Sequence, residues 1–203
     1  MGTVATFLED WSSTESGKES LYASEQGKII RWLNEAQLRF SDKSECLRDV
    51  WQPTISSTGV VALPSNFKRD IKDRVKWTAN RYLQQIDYPT ANIYSAQFSD
   101  TYHYSIWGGN FYVWQPAAGT PDVPFIVKPT LITASTISSS DLEIPTEYHA
   151  YLMFYLDSMW ARTQKDIAGS IALLKQFDSS AEEIYLDFVK DNDPIPTMRG
   201  GFF

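Results

Sequence analysis

Apolar residues recur at helical spacing in two parts of the chain. Ile29, Leu33, Ala36 and Phe40 stand four, three and four residues apart, which places them on one face of a helix. Ser24 reads as its start, Glu25 lies near the positive end of its dipole, and Ser41-Asp42-Lys43 closes it. Ahead of it, Thr3 to Trp11 predicts a short helix capped by Thr3, with Phe7, Leu8 and Trp11 on one side. Ser12 to Ser20, rich in Ser, Glu and Gly, reads as a loop. In the second half, Pro145 stands at a first-turn position before Tyr148, Leu152, Tyr155, Leu156 and Met159, a long helical stripe. Gly169 is a point of interruption, although Ala168 to Phe177 stays compatible with helix. Ser179, Ser180 and Glu182 read as a second start, with Ile184, Tyr185, Phe188 and Val189 on its apolar face.

The middle of the chain changes period. Val50 to Ile55 and Val60 to Leu63 flank Ser56-Ser57-Thr58-Gly59 and predict a hairpin. Pro64-Ser65-Asn66 breaks it, and Phe67 to Ile71 reads as a helical turn. Trp77 to Thr90 reads as a short strand and then a loop that holds Arg81-Tyr82-Leu83. The strongest strand signal is Tyr102 to Trp107 and Phe111 to Trp114, two aromatic runs around Gly108-Gly109-Asn110. Pro116 to Pro121 is a loop. Val123 to Leu131 is expected as a third strand of a small meander, with Pro124 and Pro129 keeping its ends at an edge. Ser135 to Asp141 is turn-like. The tail, Asp191 to Phe203, holds Pro194, Pro196, Gly200 and Gly201 and is expected to be extended.

The order predicts an α+β fold: a helical bundle made of the N-terminal helix and the long C-terminal helices, with an inserted antiparallel β-hairpin or meander. We expect a single α+β domain over residues 1–190, with helical body 1–45 and 145–190 and a β-rich insertion 46–134. Residues 191–203 then form the extended C-terminal tail.

Charge narrows the function. The formal net charge of −7 argues against a surface that grips phosphates broadly, although an acidic channel wall lets a duplex slide past. A single Cys and two His leave no cluster for a metal site and no internal disulfide, so a reducing compartment is expected. No run of eighteen apolar residues occurs, and Met1 to Asp10 lacks the pattern of a signal peptide.

No catalytic, cofactor or metal site emerges. Cys46 with His103 or His149 is the one thiol–base combination, and a thiol buried for packing is the simpler reading. Glu9, Asp10, Asp141, Glu143 and Glu147 are the acids a hydrolase would draw on, but acids near helix starts serve dipoles and solvent. Gly108-Gly109 is a turn, since no Lys-Ser or Lys-Thr follows as a phosphate loop requires. Two features suit protein contacts. In the aromatic hairpin, Tyr102, Tyr104, Phe111 and Val113 alternate against Trp107, Tyr112 and Trp114, so one face is core and the other is aromatic surface or lies under a loop. At the C-terminus, Met198, Arg199, Phe202 and Phe203 offer docking side chains.

Four segments resemble bacteriophage head–tail adaptor (connector) proteins. Ile30-Arg31-Trp32-Leu33-Asn34-Glu35-Ala36-Gln37 is similar to their first helix. Val61-Ala62-Leu63-Pro64-Ser65-Asn66-Phe67 resembles the hinge after their hairpin, and Tyr104 to Pro116 their central β segment. Asp141-Leu142-Glu143-Ile144-Pro145 with Tyr148-His149 resembles the start of their long helix. The pieces occur in the family's order over Gln26 to Gln176. The resemblance implies a structural virion protein in the neck, made in the host cytoplasm. It implies a ring, of dodecameric type, beneath the portal protein, with tail or other neck proteins as further partners. Double-stranded DNA would pass through without specific binding, and no membrane or cofactor is involved. A tail-terminator or stopper subunit is the neighbouring reading. A carbohydrate-binding module, suggested by the aromatic hairpin, and a cell-wall hydrolase are readings of other classes.

Overall fold

A computed structural model describes residues 3–71, 74–78, 81–94, 103–114 and 119–192. The fold is α+β and forms two compact units. One is helical and takes the chain up to Cys46 and again from Pro129; the other is Leu47–Lys128 and carries the strands.

The helical unit holds α1 (Val4–Ser13), α2 (Ser16–Ser44), α4 (His149–Thr163) and α5 (Ile167–Asn192). Thr3 caps α1 through its hydroxyl to the Thr6 N–H at 3.4 Å. The first N–H groups of α1, those of Val4 and Ala5, donate to the carbonyls of Ser140 and Ile137, so the 137–140 segment completes the helix start.

The segment expected as a loop, Ser12 to Ser20, is instead mostly helix, because α2 begins at Ser16. The Ser12 and Ser13 hydroxyls donate to the carbonyls three residues back. The Ser20 and Ser24 hydroxyls donate to the carbonyls four residues back. The start read at Ser24 coincides with a kink, where Glu25 leaves helical geometry at φ −130° and ψ 38°. Glu45, left-handed at φ 51°, ends α2 and donates its N–H to the Ser41 carbonyl.

Pro145 precedes a 3₁₀ turn, Thr146–Tyr148, that feeds α4. The break after α4 falls at Lys165 (φ 62°) and not at Gly169. Gly169 lies in the first turn of α5, where its N–H donates to Asp166 Oδ1 at 2.9 Å. A Cβ there would lie 2.1 Å from that carboxylate, so the glycine makes room for the cap. The second start expected at Ser179 is absent: α5 runs on, and the Ser180 hydroxyl donates to the Gln176 carbonyl. Asp191 and Asn192, expected in the tail, are its last residues.

Phe40 sits at the centre of this unit, against Phe177 (5.7 Å), Tyr148 (6.0 Å) and Tyr151 (6.1 Å between ring centres). Leu8, Ile29, Leu33, Ala36, Leu152 and Leu156 are fully buried with it. Each large side chain so buried contributes about 1.5–3 kcal/mol. Polar groups fix the register. Asn34 donates to the Ile132 carbonyl at 2.9 Å and accepts its N–H at 2.8 Å. Asp157 accepts from Lys18 at 2.7 Å and from the Trp11 indole at 2.8 Å, tying α4 to α1 and α2.

The β unit departs from the expected pairing. Its strands are β1 (Arg48–Trp51), β2 (Val60–Ala62), β3 (Phe67–Asp70), β4 (Lys76–Thr78), β5 (Arg81–Tyr82), β6 (Gln84–Gln85), β7 (His103–Trp107), β8 (Asn110–Trp114) and β9 (Val123–Val127), with a short α3 (Tyr88–Tyr94). The sheet orders are β1-β9-β3, β2-β8-β7-β6 and β4-β5. The segments read as one hairpin, Val50 to Ile55 and Val60 to Leu63, lie in two different sheets. Ile55 bridges to Gly119 instead. Phe67 to Ile71 forms a strand and not a helical turn, with Phe67 stacked on Phe125 at 5.2 Å. The stretch read as a loop after Trp77 holds β5, β6 and α3.

The third strand, β9, forms as expected but joins no meander. It is the central strand of its own sheet. Pro124 is accommodated because its carbonyl accepts from Ile71, just past the end of β3. In an antiparallel strand the N–H and C=O of one residue point the same way, so the missing donor falls where β3 has already ended.

Candidate functional site

The aromatic hairpin forms as read. Gly108 (φ 56°) and Gly109 (φ 78°) are both left-handed, the pair of conformations a two-residue hairpin turn needs. Trp107 pairs with Asn110, Ser105 with Tyr112 and His103 with Trp114. Strand alternation then sorts the side chains onto two faces.

One face is core. Tyr104, Phe111 and Val113 are buried with Ile55, Val75, Leu83 and Val123, and Trp51 meets Phe111 edge-on at 5.8 Å. The fully buried Tyr104 is satisfied through a hydrogen bond from its hydroxyl to Asp70 at 2.5 Å.

The other face is aromatic, and α3 partly covers it. Tyr88 approaches Tyr112 at 4.5 Å, Trp114 at 5.6 Å and Trp107 at 5.9 Å, the last nearly parallel. Tyr112 stacks on Trp114 at 6.0 Å. Beneath them the buried Ser105 hydroxyl accepts from the Trp114 indole (2.8 Å) and donates to the Ile86 carbonyl (2.7 Å). Trp114 is thereby fixed in orientation. Tyr112 and Trp114 are half-buried, whereas Trp107 is 54% exposed. The face is a rigid aromatic patch whose open end is Trp107.

Tyr88 was not among the residues singled out from the sequence. The available signal was Asp87-Tyr88-Pro89-Thr90, since a proline two residues after an Asp marks a helix start. Tyr102, Met198, Arg199, Phe202 and Phe203 lie outside the described residues.

The enzyme candidates are placed as follows. His103 is on β7 in the β unit, while Cys46 and His149 belong to the helical unit. His149 Nε2 is engaged with the Ile144 carbonyl at 2.8 Å, and its ring meets Phe7 edge-on. Glu9, Asp10, Asp141, Glu143 and Glu147 are all exposed, and Glu143 accepts the Thr130 N–H. Among the described residues, no three His, Cys, Asp or Glu are grouped to hold a metal, and no helix is long and apolar enough to cross a membrane.

Two phenols in the helical unit are shifted upward from the usual tyrosine range. Burial pushes Tyr155 up to about 12, with help from its hydrogen bond to Glu35. Burial also raises Tyr148, with Glu147 next in effect. Both sit among aromatic neighbours, and their environment serves packing.

No curated protein matches the sequence significantly. The model of the SU10 adaptor protein family does match, over residues 1–194, nearly the whole chain and both of its units. The chain therefore belongs to the SU10 adaptor protein family, a family of phage head–tail adaptors.

Proposed function

We propose that this adaptor forms a ring in the neck of the virion, between portal protein and tail, and that the ring extends the DNA channel. Membership of a head–tail adaptor family carries this reading. A ring subunit needs two different lateral surfaces, because head-to-tail contacts close a circle, and further contacts above and below. The rigid patch of Tyr88, Trp107, Tyr112 and Trp114 offers one such surface, of the residue types that anchor protein interfaces. The net charge of −7 suits a wall past which DNA slides without specific binding. The role is structural and not enzymatic. A dodecamer is the expected size, with tail or other neck proteins on the face away from portal.

The segment after α5, with Met198, Arg199, Phe202 and Phe203, is the docking peptide for portal in this reading. The direct experiment is the mass of the purified protein, alone and mixed with portal. A ring under either condition supports the reading, and a monomer under both defeats it. Removing residues 193–203 is expected to leave the helical circular dichroism unchanged and to abolish portal binding. Sugar binding by the aromatic patch would need open ring faces, and Trp107 is the exposed member among the four.

A further inference from the structure

The four-stranded sheet β2-β8-β7-β6 ends on one side at β2, Val60–Ala62, a strand without a charged residue. Two backbone hydrogen bonds fix which way its groups point. The Val113 N–H donates to the Gly59 carbonyl at 2.7 Å, and the Leu63 N–H donates to the Gly109 carbonyl at 3.0 Å. Residues 59, 61 and 63 therefore face β8, while Val60 and Ala62 turn their N–H and C=O groups the other way. Among the described residues these outward groups meet no partner, and both side chains are exposed, Val60 at 41%. An open row of this kind takes another polypeptide strand. Its donors and acceptors alternate at strand spacing, which an extended backbone matches and a duplex or a sugar does not.

The other edge strands are blunted. In β1 the outward Val50 N–H already donates to Asp49 Oδ1 at 2.7 Å. β3 carries Lys68, Arg69 and Asp70 and a bulge between Phe67 and Arg69. β4 and β5 each hold a base, and β6 is two glutamines. Among the described strands only β2 itself could cover β2, and that would join copies two by two, where a ring needs head-to-tail contacts. The segment after α5 has the pattern this edge needs. Pro194 and Pro196 alternate there with Ile195 and Thr197. Alternate residues of a strand turn their backbone groups to opposite sides. With Ile195 and Thr197 facing β2, both can donate and accept. The prolines then fall where an N–H would point to solvent, the place proline takes in edge strands. They also close the new edge against further strands. Antiparallel to β2, Ile195 opposes Ala62 and Thr197 opposes Val60. Val60 pairs with Tyr112 and shares its face, so the added side chains extend the aromatic patch.

We propose that residues 195–197 of one copy add as a fifth strand to the open edge of β2 in the next copy. The proposal rests on the ring reading and names a contact between its subunits. Each copy gives one strand and takes one, which is the head-to-tail relation that closes a ring. Phe202 and Phe203, beyond Gly200-Gly201, are left for portal.

The test reads the assembled mass of the full-length protein by sedimentation velocity, alone and with portal. Ala62→Pro and, separately, Thr197→Pro each remove one N–H of the added ladder and are expected to lower assembly roughly tenfold or more. The Ala62 N–H points away from β8, so Ala62→Pro takes no hydrogen bond from the β2–β8 pair, and its circular dichroism is expected to match wild type. If it fails to fold, Thr197→Pro decides alone. Pro196→Ala, in the other phase of the strand, is expected to assemble like wild type. A mixture supplies the second readout. Ala62→Pro protein keeps its donor segment, and protein lacking residues 193–203 keeps its open edge. Together they are expected to form a 1:1 pair that grows no further. Assembly that ignores both Ala62→Pro and Thr197→Pro overturns the proposal while leaving the ring reading intact. So does an equal loss in Pro196→Ala, or a mixture that stays unpaired where wild type assembles. A wild-type monomer under both conditions removes the ring reading and this contact together.

Discussion

At the scale of single residues, the motif most suggestive of the family turns out to be internal architecture. Asn34 copies a ladder pair by holding both backbone groups of Ile132, Glu35 accepts from the Tyr155 hydroxyl, and Ala36 is fully buried. Periodicity marked this face of α2, but nothing local in the sequence names partners about a hundred residues away. Asn34→Ala removes two hydrogen bonds and leaves the Ile132 groups unpaired, so a loss of about 2 kcal/mol is expected in urea unfolding. Asp157→Ala removes the counter-charge of Lys18, whose side chain is 9% exposed, and leaves its ammonium only the Thr14 hydroxyl and the Trp11 ring. Its cost is expected near 2–3 kcal/mol, below a fully buried pair because Asp157 is partly open to water. Replacing both partners by apolar residues should recover most of that loss. Tyr155 adds a pH dependence. Its phenol keeps its proton to about 12 when folded and releases it near 10 when unfolded. The folded state therefore binds more protons between those values. Stability from this group is complete below about pH 10 and is lost as pH rises through 12. Tyr155→Phe should flatten that alkaline decline, and a decline of unchanged size in the variant would assign it to other groups.

Elements were legible where the pattern was local and long. The bundle helices and the β7–β8 hairpin were readable because their periods and the Gly108-Gly109 turn are self-contained. Strand partners were not, because β1, β3 and β9 come together from distant parts of the chain. A valine-rich run shows that a strand forms and not whom it meets. The Ser-rich start of α2 was missed for a related reason: composition favours a loop, and tertiary ties to α4 override it. Gly17 shows the same tie. A Cβ at this position would lie 2.8 Å from the Trp160 ring, whose indole donates to Glu15. Gly17→Ala is thus expected to destabilise by about 1–3 kcal/mol, despite the better helix propensity of alanine. A thermal melt checks this, and a gain in melting temperature would mean that Trp160 swings away freely.

For the whole molecule, sequence reading reached the α+β class and the adaptor family but could not separate surface from interior on the aromatic sheet. That depended on Tyr88 arriving from α3. Trp107 stands at the open end of that patch, and Trp107→Ala is expected to leave the melting temperature nearly unchanged while weakening assembly or partner binding several-fold. A large fall in melting temperature would place it in the core instead. The backbone also closes neatly around the strand-bearing unit: the Val127 N–H donates to the Leu47 carbonyl at 2.9 Å, so the chain leaves beside where it came in. To the helices, some eighty residues amount to a loop whose two ends already touch. Such a loop is a natural cassette. Cys46 joined to Pro129 through a few glycines should still give a helical protein, and residues 47–128 should tolerate exchange for a relative's equivalent, so that the family can change what its strands touch without redesigning what its helices hold.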